Sequence, residues 1–203
     1  MKKLNIAIIG LGNIGSHLFD YLSDNKKFLT EKNNCIPIVK YVSAKNKKRK
    51  RKIKIKKDQW LSNYLDSTKL KDVDLIIELI GGAEGPAKKL VFQALKNKKH
   101  VVTANKALIA KYGDQLAKIA EKNRVNLEFE ASVCGGVPII RSLKEGLIAN
   151  KISKIYGIFN GTSNYILSSM DKENKSFDEV LSTAKKLGYA ESNPSADLNG
   201  DDV

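Results

Sequence analysis

Short, continuous apolar runs and longer stretches with a helical repeat alternate along the chain. Apolar runs at 4–9, 36–42, 73–80, 100–103 and 125–130 are rich in β-branched residues and predict strands buried on both faces. Asp74 and Glu78 interrupt the run at 73–80. Between the runs, 13–24 places Ile14, Leu18 and Leu22 at helical spacing. A second helix is predicted over 84–97, and a third over 107–123 with Leu108, Leu116, Ile119 and Ala120 as apolar markers. A short helix over 58–65 is expected, with Asp58 as its N-cap. Regular alternation of strand and helix predicts a parallel sheet with right-handed crossovers.

The pattern changes near Ser132. Pro138 opens a predicted helix carrying Ile139, Ile140, Leu143, Leu147 and Ile148. A strand over 152–159 leads to Asn160-Gly161-Thr162, and a helix follows over 162–170. Ser176-Phe177-Asp178-Glu179 reads as a capping box before a helix with Phe177, Val180, Leu181, Ala184 and Leu187 on one face, stopped by Gly188. The remainder is polar and rich in carboxylates. Two domains are therefore expected, at 1–131 and 132–203.

The first strand ends in Gly10-Leu11-Gly12-Asn13-Ile14-Gly15, and a helical pattern begins at once. In a nucleotide-binding turn Gly10 permits the tight exit from the strand. Gly12 lets a pyrophosphate approach the backbone, and Gly15 lets helix and strand pack closely. The free N–H groups of the helix N-terminus face the phosphates. A tight strand–helix turn without ligand is the plainer alternative. After the second strand, an acid that would bind the ribose hydroxyls is missing. The chain reads Ser43-Ala44-Lys45, and no acid follows until Asp58. An acid there would repel a 2′-phosphate, whereas a small residue and a cation accept one. The expected cofactor is therefore NADP, with NAD as the alternative, and Lys45 is the leading phosphate ligand.

Charge and composition narrow the classes. The 203 residues include 36 basic and 22 acidic ones, a net charge of +14. Lysines are spread along the whole chain and few aromatics interleave with them, which disfavours a nucleic-acid-binding protein. The densest block, 45–52, reads first as a solvated loop and second as a nucleic-acid patch. No apolar run reaches the length of a membrane span. Two lysines before a short apolar run mimic a signal peptide, but no small-residue cleavage site follows. Cys35 and Cys134 lack metal-ligand spacing and fit a reducing, cytoplasmic setting.

Three further groups could carry chemistry. Thr103-Ala104-Asn105-Lys106 follows the fourth strand, where ligands of open α/β sheets bind; it is equally a helix cap with a surface lysine. Glu130 to Val137 joins a carboxylate to a Gly-rich turn, which suits sodium or potassium or is simply a turn at the sheet end. Glu191, Asp197, Asp201 and Asp202 could bind an ammonium group or form a solvated loop.

These stretches together resemble homoserine dehydrogenases. The resemblance rests on 10–15, on 101–110 (Val-Val-Thr-Ala-Asn-Lys-Ala-Leu-Ile-Ala), on 129–138, on 157–167 (Gly-Ile-Phe-Asn-Gly-Thr-Ser-Asn-Tyr-Ile-Leu) and on 188–202, in family order. It covers nearly the whole chain, least well at 45–57. It implies an α/β fold, a Rossmann-type parallel sheet followed by an incomplete α+β substrate and dimerisation domain. It also implies reversible reduction of aspartate 4-semialdehyde to L-homoserine by a nicotinamide cofactor, in threonine and methionine biosynthesis. The resemblance adds Lys106 and Gly188 to the residues expected to meet the cofactor, which are then Gly10, Gly12, Asn13, Ile14, Gly15, Lys45, Thr103, Lys106 and Gly188. Lys106 and Asp202 are catalytic, and Thr162, Tyr189, Glu191, Asp197 and Asp202 hold the substrate. Glu130, Val133, Gly135 and Val137 match the alkali-metal loop, the last three through carbonyls. The family is homodimeric. Its second lysine, four residues beyond Asp202, would fall past Val203, so weak or absent turnover is expected of these 203 residues, as a cofactor-binding remnant.

Overall fold

In the computed structural model, residues 1–187, 189, 190, 195 and 199 are described. They fall in two compact units, Met1–Ser132 and Val133–Val203.

The first unit is built on five parallel strands, β1 (Lys2–Ile9), β2 (Cys35–Ser43), β3 (Leu75–Glu78), β4 (His100–Thr103) and β5 (Leu127–Glu128), in the order β2-β1-β3-β4-β5. Central β1 shows why the pattern works. Its side chains alternate between two apolar layers, as a period of two requires. Ile6 and Ile8 join Leu11, Phe19, Val42 and Ile77 on one face. Ala7 and Ile9 join Leu90, Val101, Leu108 and Leu116 on the other. Helix α1 (Asn13–Asp24) contributes Phe19 to the first layer. Helices α3 (Pro86–Lys96) and α4 (Lys106–Asn123) supply the second, through Leu90, Val91, Ala94 and Leu95 and through Leu108, Leu116 and Ala120.

Edge strand β2 tolerates Pro37, as an edge can. Its register against β1 shifts between Ile6 and Ala7. Close to that irregularity Asp72 accepts from Lys40 Nζ and Tyr41 Oη, both at 2.9 Å, and these contacts hold its carboxyl below the usual range. Trp60 bridges to Val42 and partly covers the edge.

In the second unit α6 (Gly161–Glu173) and α7 (Phe177–Leu187) share a small core of Ile166, Val180, Ala184 and Ala190. The Ser176 amide and hydroxyl both donate to the Glu179 carboxylate at the start of α7.

Several expected elements differ. The segment 152–159 forms no strand, and Ile152, Ile155, Tyr156 and Ile158 are exposed. A strand needs a neighbour to take its backbone hydrogen bonds, and no strand pairs with this segment among the described residues. The helix expected from Pro138 is only α5 (Ile139–Arg141), continued by a wider π-helical stretch at Ser142–Gly146. The helix expected over 58–65 is two 3-10 turns, Lys57–Gln59 and Tyr64–Thr68, and Asp58 lies inside the first rather than capping it. A helix not expected, α2 (Lys26–Asn33), buries no residue and so leaves no apolar stripe to read. In α1 the inward positions are Gly15 and Phe19, while Ile14 is 66% exposed.

The join of β1 to α1 rests on two glycines. Gly10 has φ of +108°, and a Cβ there would lie 2.3 Å from the Leu79 carbonyl oxygen. A Cβ on Gly15 would lie 2.0 Å from the Gly10 carbonyl oxygen. Gly15→Ala is therefore expected to push α1 off the strand and lower stability by about 2 kcal/mol. Chemical denaturation measures this, and a midpoint equal to that of the unaltered chain would contradict it.

Candidate functional site

Because all five strands are parallel, their C-terminal ends share one edge. The strand order reverses at β1, with β2 to one side and β3 to the other. Open α/β sheets bind ligands in the crevice at such a point. Four turns line it here.

The first is Gly10–Gly15. Gly12 is the N-cap of α1, and no side chain caps the helix. The first turn has no acidic residue, so nothing anionic competes for its N–H groups. A Cβ on Gly12 would meet nothing within 4 Å, unlike those on Gly10 and Gly15. Asn13 and Ile14 are exposed beside it. Open space over a helix N-terminus fits a dinucleotide's pyrophosphate.

The second turn is the basic loop after β2. Gly10 N donates to the Ser43 carbonyl at 2.9 Å, which brings the end of β2 against the glycine turn. Lys45 follows and is exposed. Arg51 organises the loop. Its Nε donates to the Leu11 carbonyl at 3.1 Å, and its terminal nitrogens donate to the carbonyls of Asn46 at 2.8 Å and Arg49 at 2.9 Å. Burial, and secondarily Arg49, lower its pKa from the ordinary value. Arg51 and Lys47 also lie over the Trp60 ring. The loop is thus fastened to the glycine turn, with its lysines outward.

The third and fourth turns follow β3 and β4 and are joined. Glu78 is fully buried. One carboxylate oxygen accepts from Ile80 N at 2.7 Å and Gly81 N at 3.1 Å, and the other from Thr103 Oγ1 at 2.5 Å. Thr103 Oγ1 accepts from Asn105 N at 3.0 Å. Asn105 donates to the Gly82 carbonyl at 2.8 Å and caps α4 by accepting from Leu108 N at 3.0 Å. Lys106, half-buried, is the first residue of that helix. A cation at a helix N-terminus opposes the macrodipole, and the first turn offers no acid to offset it.

Just beyond the third turn, Glu84 accepts from Lys88 at 3.0 Å, Lys111 at 2.9 Å and the Tyr112 hydroxyl. The Tyr112 hydroxyl and then the two ammonium groups hold its pKa at about 2. Its separation of four from Lys88 is a helix-spacing signal in the sequence. Glu78 and Arg51 carried weaker signals, a carboxylate inside an apolar strand and one arginine in a cationic run.

In the second unit Thr162, buried, donates to the Tyr189 carbonyl at 2.7 Å. The Tyr165 and Tyr189 rings stack at 4.6 Å, beside a groove of about 460 Å³ that Asn164, Ser168 and Lys172 also line. Val133, Gly135 and Val137 belong to a turn in which the Cys134 carbonyl accepts from Val137 N at 2.9 Å. Gly135 and Val137 are exposed, and carbonyl oxygens there are donors suited to a hard cation. Glu130 stands in the first unit, in the 3-10 turn Glu130–Ser132. No group of three His, Cys, Asp or Glu side chains placed to hold a metal occurs among the described residues. Gly188, Glu191, Asp197 and Asp202 lie outside them. No helix of the described residues is long and apolar enough to cross a membrane.

Comparison with known proteins identifies both segments of the chain. The model of the homoserine dehydrogenase NAD-binding domain matches residues 10–130, and that of homoserine dehydrogenase matches 138–203. Homoserine dehydrogenase of Bacillus subtilis is 42% identical over 203 residues, covering 100% of this chain and 47% of that protein. The crystal structure of the Thiobacillus denitrificans enzyme superposes with a TM-score of 0.85 at 40% identity, over 100% of this chain and 46% of the other. The S. aureus enzyme at pH 7.5 gives 0.80 at 40% identity, over 100% and 47%. The chain spans about half the length of the curated relatives it matches. An NAD(P)-type Rossmann unit with its glycine turn, followed by a segment matching the same family's second model, places this chain in the homoserine dehydrogenase family.

Proposed function

We propose that this chain binds NADP(H) through its first unit, as the cofactor-binding portion of a homoserine dehydrogenase acting on L-homoserine and aspartate 4-semialdehyde. The observation that carries the reading is the uncapped, acid-free N-terminus of α1 beneath an open Gly12, flanked by a fastened basic loop. Strand order supports one direction for the cofactor. The adenosine end lies toward β2, the diphosphate over β1, and the nicotinamide end toward β3 and β4. Lys45 then accepts the 2′-phosphate, where an acid would select the free hydroxyls of NAD.

The cofactor supplies or accepts the hydride. The chain's residues do the rest. Asn13, Ile14 and Thr103 border the cofactor, and Gly188 touches it. Lys106 presents its ammonium to the substrate oxygen, which gains negative charge as the aldehyde is reduced, and so stabilises and protonates it. Thr162 and Tyr189 line the substrate pocket, Glu191 and Asp197 hold the amino group, and Asp202 stands at the reaction centre. Glu130 and the carbonyls of Val133, Gly135 and Val137 hold sodium or potassium. The setting is the cytoplasm.

On their own, these 203 residues are proposed to bind cofactor with little or no turnover. The second unit's small core and the exposed apolar residues at 152–158 support this.

Calorimetric titration is expected to show NADPH binding more tightly than NADH, with Lys45→Ala weakening NADPH about tenfold and leaving NADH unchanged. Equal affinities, indifferent to Lys45, would overturn the NADP assignment. Gly12→Ala is expected to keep the melting temperature, because its Cβ meets open space, yet weaken NADPH at least about tenfold; undiminished binding would remove the diphosphate from this turn. Steady-state homoserine oxidation at a rate comparable to the full-length relatives would refute the prediction of weak turnover.

A further inference from the structure

A buried carboxylate with no cation beside it calls for an explanation. Glu78 has no cationic partner among the described residues, and all its contacts are hydrogen bonds from neighbours. Burying such a group is costly unless its acceptors are filled. Here they are filled by the two turns that close the β3–β4 side of the crevice, and by nothing else.

We propose that Glu78 is a positioning residue for the nicotinamide end of the cofactor, acting as the clasp between the turn after β3 and the turn after β4. The inference rests on the reading of this crevice as a dinucleotide site. On the β3 side the chain leaves the strand through Gly81 and Gly82, both at positive φ, +86° and +79°. A Gly-Gly turn has little conformational preference of its own. Two N–H bonds to one Glu78 oxygen fix its start, and the Asn105 amide fixes the Gly82 carbonyl. On the β4 side, the Thr103 hydroxyl donates to the other Glu78 oxygen, which leaves Thr103 Oγ1 free to accept from Asn105 N. Asn105 is thereby set both to cap α4 and to reach Gly82. Lys106 follows directly, so its backbone position is determined by the same ring of bonds.

The ring demands a group that only accepts. Glutamine in place of Glu78 has the same shape but one oxygen and one NH₂. If the oxygen serves Ile80 and Gly81, the NH₂ faces Thr103 and displaces its hydroxyl proton. If it serves Thr103, the NH₂ faces two N–H donors. Either way one wall of the crevice loosens, while the adenosine side, held through Arg51 and Ser43, is untouched.

Two probes separate this role from general destabilisation. NADPH spans the whole crevice, and adenosine 2′,5′-bisphosphate carries only the adenosine half. For Glu78→Gln, calorimetry is expected to show about tenfold weaker NADPH and a change of no more than about twofold for the bisphosphate. Equal losses for both ligands, or no loss for either, would overturn the clasp. Should Glu78→Gln fail to fold, Asn105→Ser carries the test. Serine keeps the helix cap and loses the reach to Gly82. It is expected to weaken NADPH about fivefold and spare the bisphosphate, and unchanged NADPH binding would count against the proposal. An unaltered chain that binds neither probe would instead overturn the dinucleotide reading itself.

Discussion

The contact on which the first unit depends is between backbone and a missing side chain. The Gly10 carbonyl oxygen occupies the space where Gly15 would carry its Cβ, and the Leu79 carbonyl does the same for Gly10. Strand β1, helix α1 and the exit of β3 therefore meet at backbone distance. That approach sets the helix N-terminus directly over the end of the central strand. From there the two faces of β1 assign Ile6 and Ile8 to one apolar layer and Ala7 and Ile9 to the other. The crevice is a consequence of the same geometry, since parallel strands and right-handed crossovers bring the turns after the strands to one edge.

What the sequence made legible follows from which interactions are local. Strand and helix periodicity located all five strands and the helices α1, α3, α4, α6 and α7, because burial on a repeating face leaves a repeating pattern. The glycine turn was legible for the same reason: its requirement is for absent side chains at fixed spacing. Helix α2 was not, because it buries nothing. The segment at 152–159 is rich in isoleucine and aromatic residues, yet such composition states only a preference; hydrogen bonding to a neighbour makes a strand. Ile14 has the right spacing for the buried face of α1 and lies instead on its exposed side. Close packing at Gly15 rotates the helix so that Phe19 turns inward.

The candidate site divides along the same line. Candidates defined by their own type at a fixed place, such as Gly12, Lys45 and Lys106, could be named from the chain. Those that act through partners distant in sequence could not. Glu78 and Thr103 are 25 positions apart, and Arg51 and Leu11 are 40 apart. In the sequence Glu78 is only an interruption in an apolar run, and Arg51 only one cation among many. Their roles exist once the sheet has placed the ends of neighbouring strands together.

The electrostatics of the crevice then make sense as a division of labour. Its outer half is positive: the α1 N-terminus, Lys45 and the loop that Arg51 holds all favour an anion. Its inner half contains a buried carboxylate, which a simple charge argument would exclude from an anion site. Replacing Glu78 with an apolar residue would remove its desolvation cost, and buried ion groups often yield stability when replaced in that way. Here the exchange would leave the N–H groups of Ile80 and Gly81 and the Thr103 hydroxyl without acceptors, each carrying its own penalty. A carboxylate meets three donors with one side chain, and no other side chain that is neutral or cationic does so. The negative charge is therefore the consequence of holding two turns at once, and it is tolerable because all three of those donors are turned onto it.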